Sequence, residues 1–426
     1  KTLLNSSLEF VSVSLRNRVF PAKRQIAQSC WAPASAKAAK QTHEICYDCG
    51  FEPHFLTAHK AKIRQTHRRV NCFVAELPRK AVRSFTAKLK QAGHRVVANK
   101  SVYLLLNESA PLMEVPKIWD SGFTGKGITV GIVDSGIDAK HPDLTGRILK
   151  TKDFTGNGIK DRVGHGTHVA GIIAGAGPVY RGIAPDASIL AAKAIDVEGG
   201  TDDAVLAAIS WCAYSGAQVI NLSLGGTGDP DDVLSQECDA LMREGIVVCV
   251  AAGNSGPGSR TIGSPGTSRL AITVGATDKD GNLAFYSSRG PVKDPETRKD
   301  ILKPDIVAVG GGYAHLPGCD YRAGVISAKS STSKLGECSV TLKGRSLYEK
   351  MSGTSMAAPH VAGICALLLE ALGKRKTLAS RESANLTYKI KEMLKRSART
   401  LHHKPNEQGA GFLVASRAFT GIARWR

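Results

Sequence analysis

Five short runs dominated by β-branched and other apolar residues, 128–133, 219–224, 246–252, 270–274 and 306–309, are spaced along this chain with helical patterns between them. Continuous apolar runs of that length suit strands buried on both faces of a parallel sheet, because a strand with one wet face would alternate instead. The intervening segments carry helix signals. Thr201-Asp202-Asp203 can cap a helix running through Tyr214 with Gly216 as its stop, and Asp231-Asp232 can open another that Gly245 ends. The expectation for residues 109–426 is a doubly wound parallel α/β sheet, whose ligands bind beyond the carboxyl ends of the strands.

The front of the chain differs. Residues 1–68 read as an irregular, basic, Cys- and His-containing extension. Residues 69–108 read strand, helix, strand, with Ala81, Val82, Phe85, Leu89 and Ala92 at helical spacing before the stop at Gly93, which predicts a small α+β domain. Charge is uneven: residues 1–107 carry 19 Lys/Arg against 5 Asp/Glu, residues 374–426 carry 13 against 3, and residues 108–373 carry 25 against 29. Opposite signs would steer the basic front onto the acidic centre. The basic stretches lack a nucleic-acid motif or interleaved aromatics, so no nucleic-acid partner is expected. No run of 18 apolar residues occurs, and no membrane partner is expected.

Four glycine-rich segments hold reactive side chains. Asp134 ends the first apolar run and is followed by Ser135 and Gly136. A carboxylate there can be buried yet hydrogen-bonded, able to orient an imidazole through its Nδ1–H. By itself it would be read as a turn or cap residue. His165 precedes the helical stretch Val169-Ala170-Gly171-Ile172-Ile173 and suits a general base, although His168, one turn on, competes for the role and a helix-cap histidine is the plainer reading. Ser355 opens a helical run over 356–372. A nucleophile at a helix N-terminus has backbone N–H groups aimed at a developing oxyanion, though an isolated Ser there is most often an N-cap. Asn254, just after the run 246–252, can offer an amide N–H to the same oxyanion, or be a turn residue.

Taken together, Asp, His and Ser in that chain order, within Gly131-Ile132-Val133-Asp134-Ser135-Gly136-Ile137-Asp138, Gly164-His165-Gly166-Thr167-His168-Val169-Ala170-Gly171, Asn221-Leu222-Ser223-Leu224-Gly225-Gly226, Ala252-Gly253-Asn254 and Gly353-Thr354-Ser355-Met356-Ala357, make the chain from about 115 to 412 resemble the subtilisin-like serine peptidases, the subtilases. The resemblance implies a subtilisin-like fold and a serine endopeptidase acting through an acyl-enzyme. It implies Asp134, His165 and Ser355 as triad, Asn254 as oxyanion donor, and peptide and protein substrates. The substrate would lie as a strand between Ser223-Leu224-Gly225-Gly226 and Gly199-Gly200, with a primary pocket walled by Ala251, Ala252, Gly253 and the segment near Gly263. These are small, uncharged residues that favour large apolar side chains before the cut.

Residues 69–108 occupy the place of an inhibitory propeptide in that family, so a zymogen that cuts itself between 102 and 112 is expected, with the propeptide as a partner in cis. Secretion and a monomeric state are also expected. The alternative is a catalytically silent scaffold of the same fold that binds peptides. No cofactor is required for the chemistry. Asp143 matches one calcium ligand of the family, but the loop after Gly171 is short and lacks Asn and Asp. A hard cation wants six to eight oxygens, so that site is expected to be incomplete and no metal ligand is assigned. His43, Cys46, Cys49, His54 and His59 are zinc-ligand types, yet a single Cys-x2-Cys with loose histidines is read as a local disulfide or free thiols instead, with Cys30 and Cys72 as further candidates for pairing. Cys319 and Cys338, in a stretch between 309 and 352 longer than minimal subtilisins have, are read equally as a disulfide or two thiols. Cys212, Cys238, Cys249 and Cys365 are expected to be inert buried thiols.

Overall fold

The computed structural model describes residues 8–14, 53–67, 72–92, 95–98, 109–312, 323–333, 339–342, 344–373 and 383–422. The chain divides into two compact units, Lys1–Val102 and Tyr103–Arg426.

In the first unit, β1 (Leu8–Ser14), β2 (Lys62–His67), β3 (Cys72–Pro78) and β4 (Arg95–Ala98) form an antiparallel sheet in the order β2-β3-β1-β4. Helices α1 (Pro53–Ala58) and α2 (Arg79–Gln91) supply Leu56, Phe85 and Leu89, which pack with Ala75, Leu77 and Val96. The helical spacing in 79–93 is met by α2. The sheet, however, crosses the division expected at 68/69. β1, from the stretch read as irregular, lies between β3 and β4, with Phe10 opposite Glu76 and Val13 opposite Val96. A strand whose partners lie some sixty residues downstream carries little local signal of its own. His59 packs against the stacked rings of Phe55 and Phe85, and its Nδ1 hydrogen-bonds to the Phe55 carbonyl at 2.9 Å. It is a core histidine of this unit. Cys30, His43, Cys46, Cys49, Cys319, Cys338 and the side chains of His54 and Cys72 lie outside the described residues.

The second unit is built on seven parallel strands. These are β5 (Thr129–Asp134), β6 (Ile148–Asp153), β7 (Ser188–Lys193), β10 (Val219–Leu222), β11 (Val247–Ala251), β12 (Ile272–Thr277) and β15 (Ile306–Val309), in the order β15-β12-β11-β10-β5-β7-β6. Two short antiparallel pairs accompany them, β8 (Ile195–Asp196) with β9 (Gly199–Gly200) and β13 (Val292–Lys293) with β14 (Asp300–Ile301). Helices α3 (His165–Ala174) and α6 (Thr354–Gly373) cover one face, while α4 (Asp202–Tyr214) and α5 (Val233–Glu244) cover the other. Strand alternation divides the core: Val247, Cys249 and Ala251 face α6, and Val248 and Val250 face α4 and α5. Helix α6 has the length and apolarity of a membrane span, but it is the buried core helix of this face.

All five expected strands are present within a few residues. β6 and β7 were not expected. β6, Ile-Leu-Lys-Thr-Lys-Asp, is an exposed edge strand whose lysines blunt the edge, and β7 is too alanine-rich to stand out. Thr201 caps α4 by accepting from Ala204 N, Asp232 caps α5 by accepting from Ser235 N at 2.8 Å, and Gly245 ends α5 with φ +94°. The four cysteines Cys212, Cys238, Cys249 and Cys365 are buried and free; burial raises the Cys212 thiol to about 12. A three-stranded antiparallel sheet, β16 (Val325–Ala328), β17 (Ser339–Leu342) and β18 (Arg345–Met351), fills the long stretch before Ser355 and leads into α6. From β5 the chain winds out to β6 and β7 on one side and then to β10 on the other, so the strand order switches beside β5. That switch opens a crevice at the carboxyl ends of β5 and β10.

Candidate active site

Asp134 is the last residue of β5 and is 2% exposed. Its Oδ1 accepts from Ser135 N at 2.7 Å and meets His165 Nδ1 at 2.8 Å, with Oδ2 at 3.0 Å from the same nitrogen. His165 is the first residue of α3, brought there because Gly166 lets the helix touch the strand end. A Cβ on Gly166 would stand 2.1 Å from the Gly136 carbonyl oxygen, so no other residue fits. Burial alone would lower the His165 pKa, but the Asp134 carboxylate, with Asp161 and Glu349 further off, overrides it and holds the value above the ordinary one. His168 has no such partner. It is fully buried, its Nε2 faces the carbonyls of Val325 and Glu349, and burial lowers its pKa to about 3.

Ser355 lies in the first turn of α6. Its hydroxyl donates to the Ser223 carbonyl at 3.0 Å, and the Ser223 hydroxyl donates back to the Ser355 carbonyl at 2.8 Å. Asn221 Nδ2 donates to that Ser223 hydroxyl at 2.9 Å. The Ser355 hydroxyl thus donates to the backbone just after β10 and not to the His165 imidazole. Asn254 follows β11, and its Oδ1 accepts from Thr354 N at 2.9 Å and Thr354 Oγ1 at 3.0 Å. With the oxygen committed, the amide N–H2 is the end left for a ligand.

One cavity of about 480 Å³ is lined by Asp134, His165, Gly199, Gly200 and Ser223 through Gly226. A second, of about 630 Å³, is lined by Leu224 through Gly228, Ala251, Gly253, Asn254, Arg260, Gly263 and Ser355. Leu224, Gly225 and Gly226 border both, so all four expected reactive residues and both expected cleft edges face one continuous groove. Two expectations for the pocket wall need correction. Ala252 is fully buried and packs with Ile262 and Val292 behind the wall, on the side opposite Ala251 as strand alternation dictates. The wall is also charged: Arg260, at φ +59°, lines it while a two-pronged ion pair to Asp300 holds its guanidinium.

Asp161 was not singled out in the sequence. Fully buried, it accepts from Ser135 Oγ at 2.9 Å, Gly164 N at 2.8 Å and Thr167 N at 2.9 Å, tying the loop after β5 to the start of α3. An aspartate four residues before the first helical residue was the available signal. For calcium, the surroundings of Asp143 fit poorly. Tyr348 Oη donates to its Oδ2 at 2.8 Å, and a Cβ on Gly177 would stand 2.1 Å from that oxygen, so the short loop lies directly on the carboxylate. Among the described residues no cluster of three His, Cys, Asp or Glu side chains could hold a metal.

The Subtilase family profile matches residues 125–411. Serine protease AprX of Bacillus subtilis (strain 168) is 33% identical over 89% of this chain and 86% of its own length. Subtilisin DY of Bacillus licheniformis is 35% identical over 65% of this chain and 87% of its own. A solved structure, a protease from Pseudoalteromonas arctica PAMC 21717, is 27% identical and superposes with a TM-score of 0.58 over 72% of this chain and 94% of that one. A parallel sheet with an Asp–His pair and a helix-borne serine at its switch point, together with a profile spanning most of the chain, leads to one conclusion: this chain belongs to the subtilase family and is a subtilisin-like serine endopeptidase.

Proposed function

We propose that Asp134, His165 and Ser355 form the catalytic triad and that Asn254 completes the oxyanion hole. The observation that carries this is the buried Asp134 carboxylate 2.8 Å from His165 Nδ1, in the groove that also exposes Ser355 and Asn254. His165 Nε2 takes the Ser355 proton as Oγ bonds to the scissile carbonyl carbon. The negative charge that develops on the carbonyl oxygen is met by Asn254 Nδ2 and by backbone N–H at the start of α6. Collapse expels the amine, which takes the proton back from the imidazolium, and water repeats the sequence to free the acid. The second cavity takes the side chain before the cut. Its small walls suit large apolar groups, and among the described residues its lining holds no carboxylate to select Lys or Arg. A fluorophosphonate probe is expected to label the wild type on Ser355 and to leave Ser355→Ala unlabelled. Equal labelling of both would remove Ser355 from the chemistry, and no labelling of either would favour a silent scaffold.

The first unit is proposed as a self-removed inhibitory prodomain. Support comes from its independent sheet, its net positive charge against the acidic centre, and the two-unit boundary at Val102/Tyr103. Export is proposed on the same ground, in line with the name of one relative, Minor extracellular protease Vpr of Bacillus subtilis (strain 168), 40% identical over 42% of this chain. Intact mass is expected to show wild-type protein cut between 102 and 112 and Ser355→Ala uncut. Fully active, uncut protein would contradict the prodomain assignment.

A further inference from the structure

We propose that Glu349 is a positioning residue for the general base: a buried second carboxylate, supplied by β18 on its way to Ser355, whose charge bears on the His165 imidazole across the entry of α3. The proposal rests on the triad reading above and deepens it.

Glu349 is held on three sides. Its backbone pairs with Ser327 of β16 and Ser339 of β17, and its carbonyl faces His168 Nε2 at 3.2 Å, one turn into α3. The side chain reaches the N-cap of that helix. A Cβ on Gly164 would stand 3.1 Å from Glu349 Oε1 and 2.8 Å from Ser333 Oγ, so Gly164 is glycine for space as well as for its φ of +94°. The residue is 2% exposed, and Oε1 has no hydrogen-bond partner among the described residues. A carboxyl group buried with an unsatisfied oxygen is costly to folding, and such a group beside a catalytic histidine signals function more than packing.

The groups facing it are Lys329, from the segment after β16 and hydrogen-bonded to Ser339 Oγ; Asp161, which caps α3; and His165 with its partner Asp134. Burial pushes the Glu349 carboxyl up to about 7, Lys329 pulls it down, Asp161 pushes it up and a charged His165 pulls it down. The carboxyl therefore changes charge near neutral pH, and its charge and that of the imidazole bear on each other. At acid pH Glu349 is neutral and exerts no pull. As it ionises it favours imidazolium, which raises the pH at which the free base appears. At alkaline pH the same charge stabilises the imidazolium that forms during serine attack. One carboxylate thus trades activity on the acid side for a faster plateau.

The test is the second-order rate of fluorophosphonate labelling of the full chain from pH 5 to 10, for wild type, Glu349→Gln and Glu349→Asp. In Glu349→Gln the acid limb is expected to move down by about 0.5–1 unit and the plateau to fall by about 3–10-fold. Glu349→Asp, which keeps the charge, should restore the wild-type limb. An unmoved limb in Glu349→Gln overturns the proposal, and an unmoved limb with a lowered plateau marks a purely structural role. Should Glu349→Gln fail to fold, carbon-13 NMR of glutamate-labelled wild type decides. One carboxyl titrating near pH 7 supports the proposal, and all glutamates titrating below about pH 6 overturn it. Failure of the triad reading is separately visible as undiminished labelling of Ser355→Ala.

Discussion

Asp134→Asn is expected to lower kcat by about 10⁴ with KM little changed, the order found for this substitution in another serine-protease triad. The carboxylate does two things that an amide cannot. It accepts the Nδ1–H of His165, which leaves Nε2 as the lone-pair nitrogen facing the groove. It also balances the imidazolium in the transition state. An amide whose N–H2 points at Nδ1 would force the other tautomer and remove the charge. The charge also underlies the raised His165 pKa. The free-base imidazole is the active form, so activity in wild type is lost as pH falls through that raised value. In Asp134→Asn the residual activity should persist to lower pH. Asn254→Ala makes a useful contrast, with an expected loss of about 10² to 10³ in kcat, a magnitude that comes from a relative within this family. Steady-state hydrolysis of a peptide anilide with an apolar residue before the scissile bond measures both. A loss under tenfold in Asp134→Asn would detach the pair from the chemistry.

The largest expected effect on stability is Asp305→Ala, at about 3–5 kcal/mol, because it leaves buried charge without its counter-charge. Asp305 Oδ2 is 2.9 Å from Lys303 Nζ and Oδ1 is 2.9 Å from Lys391 Nζ, so one carboxylate joins the loop before β15 to α7 (Ser383–Ser397). Thr273 N donates to the same Oδ2, and both ammonium groups also donate to the Ala271 carbonyl. Both lysines would be left facing carbonyls and a hydroxyl only. Burial already lowers Lys303 to about 8, below the 10.5 of the free side chain, with Asp305 opposing that fall and Lys391 adding to it. Between those values the unfolded chain binds more protons, so stability drawn from this group rises with pH. Removing Asp305 lowers the Lys303 value further. The cost should therefore shrink as pH rises from the variant's lowered Lys303 value toward about 8 and stay constant above that. Melting in a Ser355→Ala background, where self-digestion is blocked, measures it. A change below about 1 kcal/mol would mean that water or a neighbouring group takes over the carboxylate's role.

The parts of the molecule that were legible in advance are those whose signal is local. The apolar runs became β5, β10, β11, β12 and β15 because a strand covered on both faces needs apolar side chains in both directions. Thr201, Asp232 and Gly245 announced helix ends because orphan backbone groups need a partner or a left-handed turn. β6 escaped notice because an exposed edge places no demand on its side chains, and β1 because its partners are far along the chain. Ala252, expected in the pocket wall, lies behind it, and Arg260, which carried no expectation, lines it. Which face of a wall a residue meets depends on strand alternation and on an ion pair from residue 300, neither of which is written in the motif.

By itself the sequence determined the reactive inventory: an aspartate closing a strand, a histidine and a serine each opening a helix, and an asparagine after a third strand. Those are properties of short segments, set by steric and hydrogen-bonding rules within a few residues. The resemblance singled out His165 over His168, and the structure puts its Nδ1 on Asp134; only the tertiary structure decided that Ser355 rests on Ser223 and that Asp161 and Glu349 stand behind the imidazole. Charge and hydrogen bonding act over a few ångströms in space. The chain brings those groups together only once helices and strands have packed, so their coupling has no trace in any single stretch of sequence.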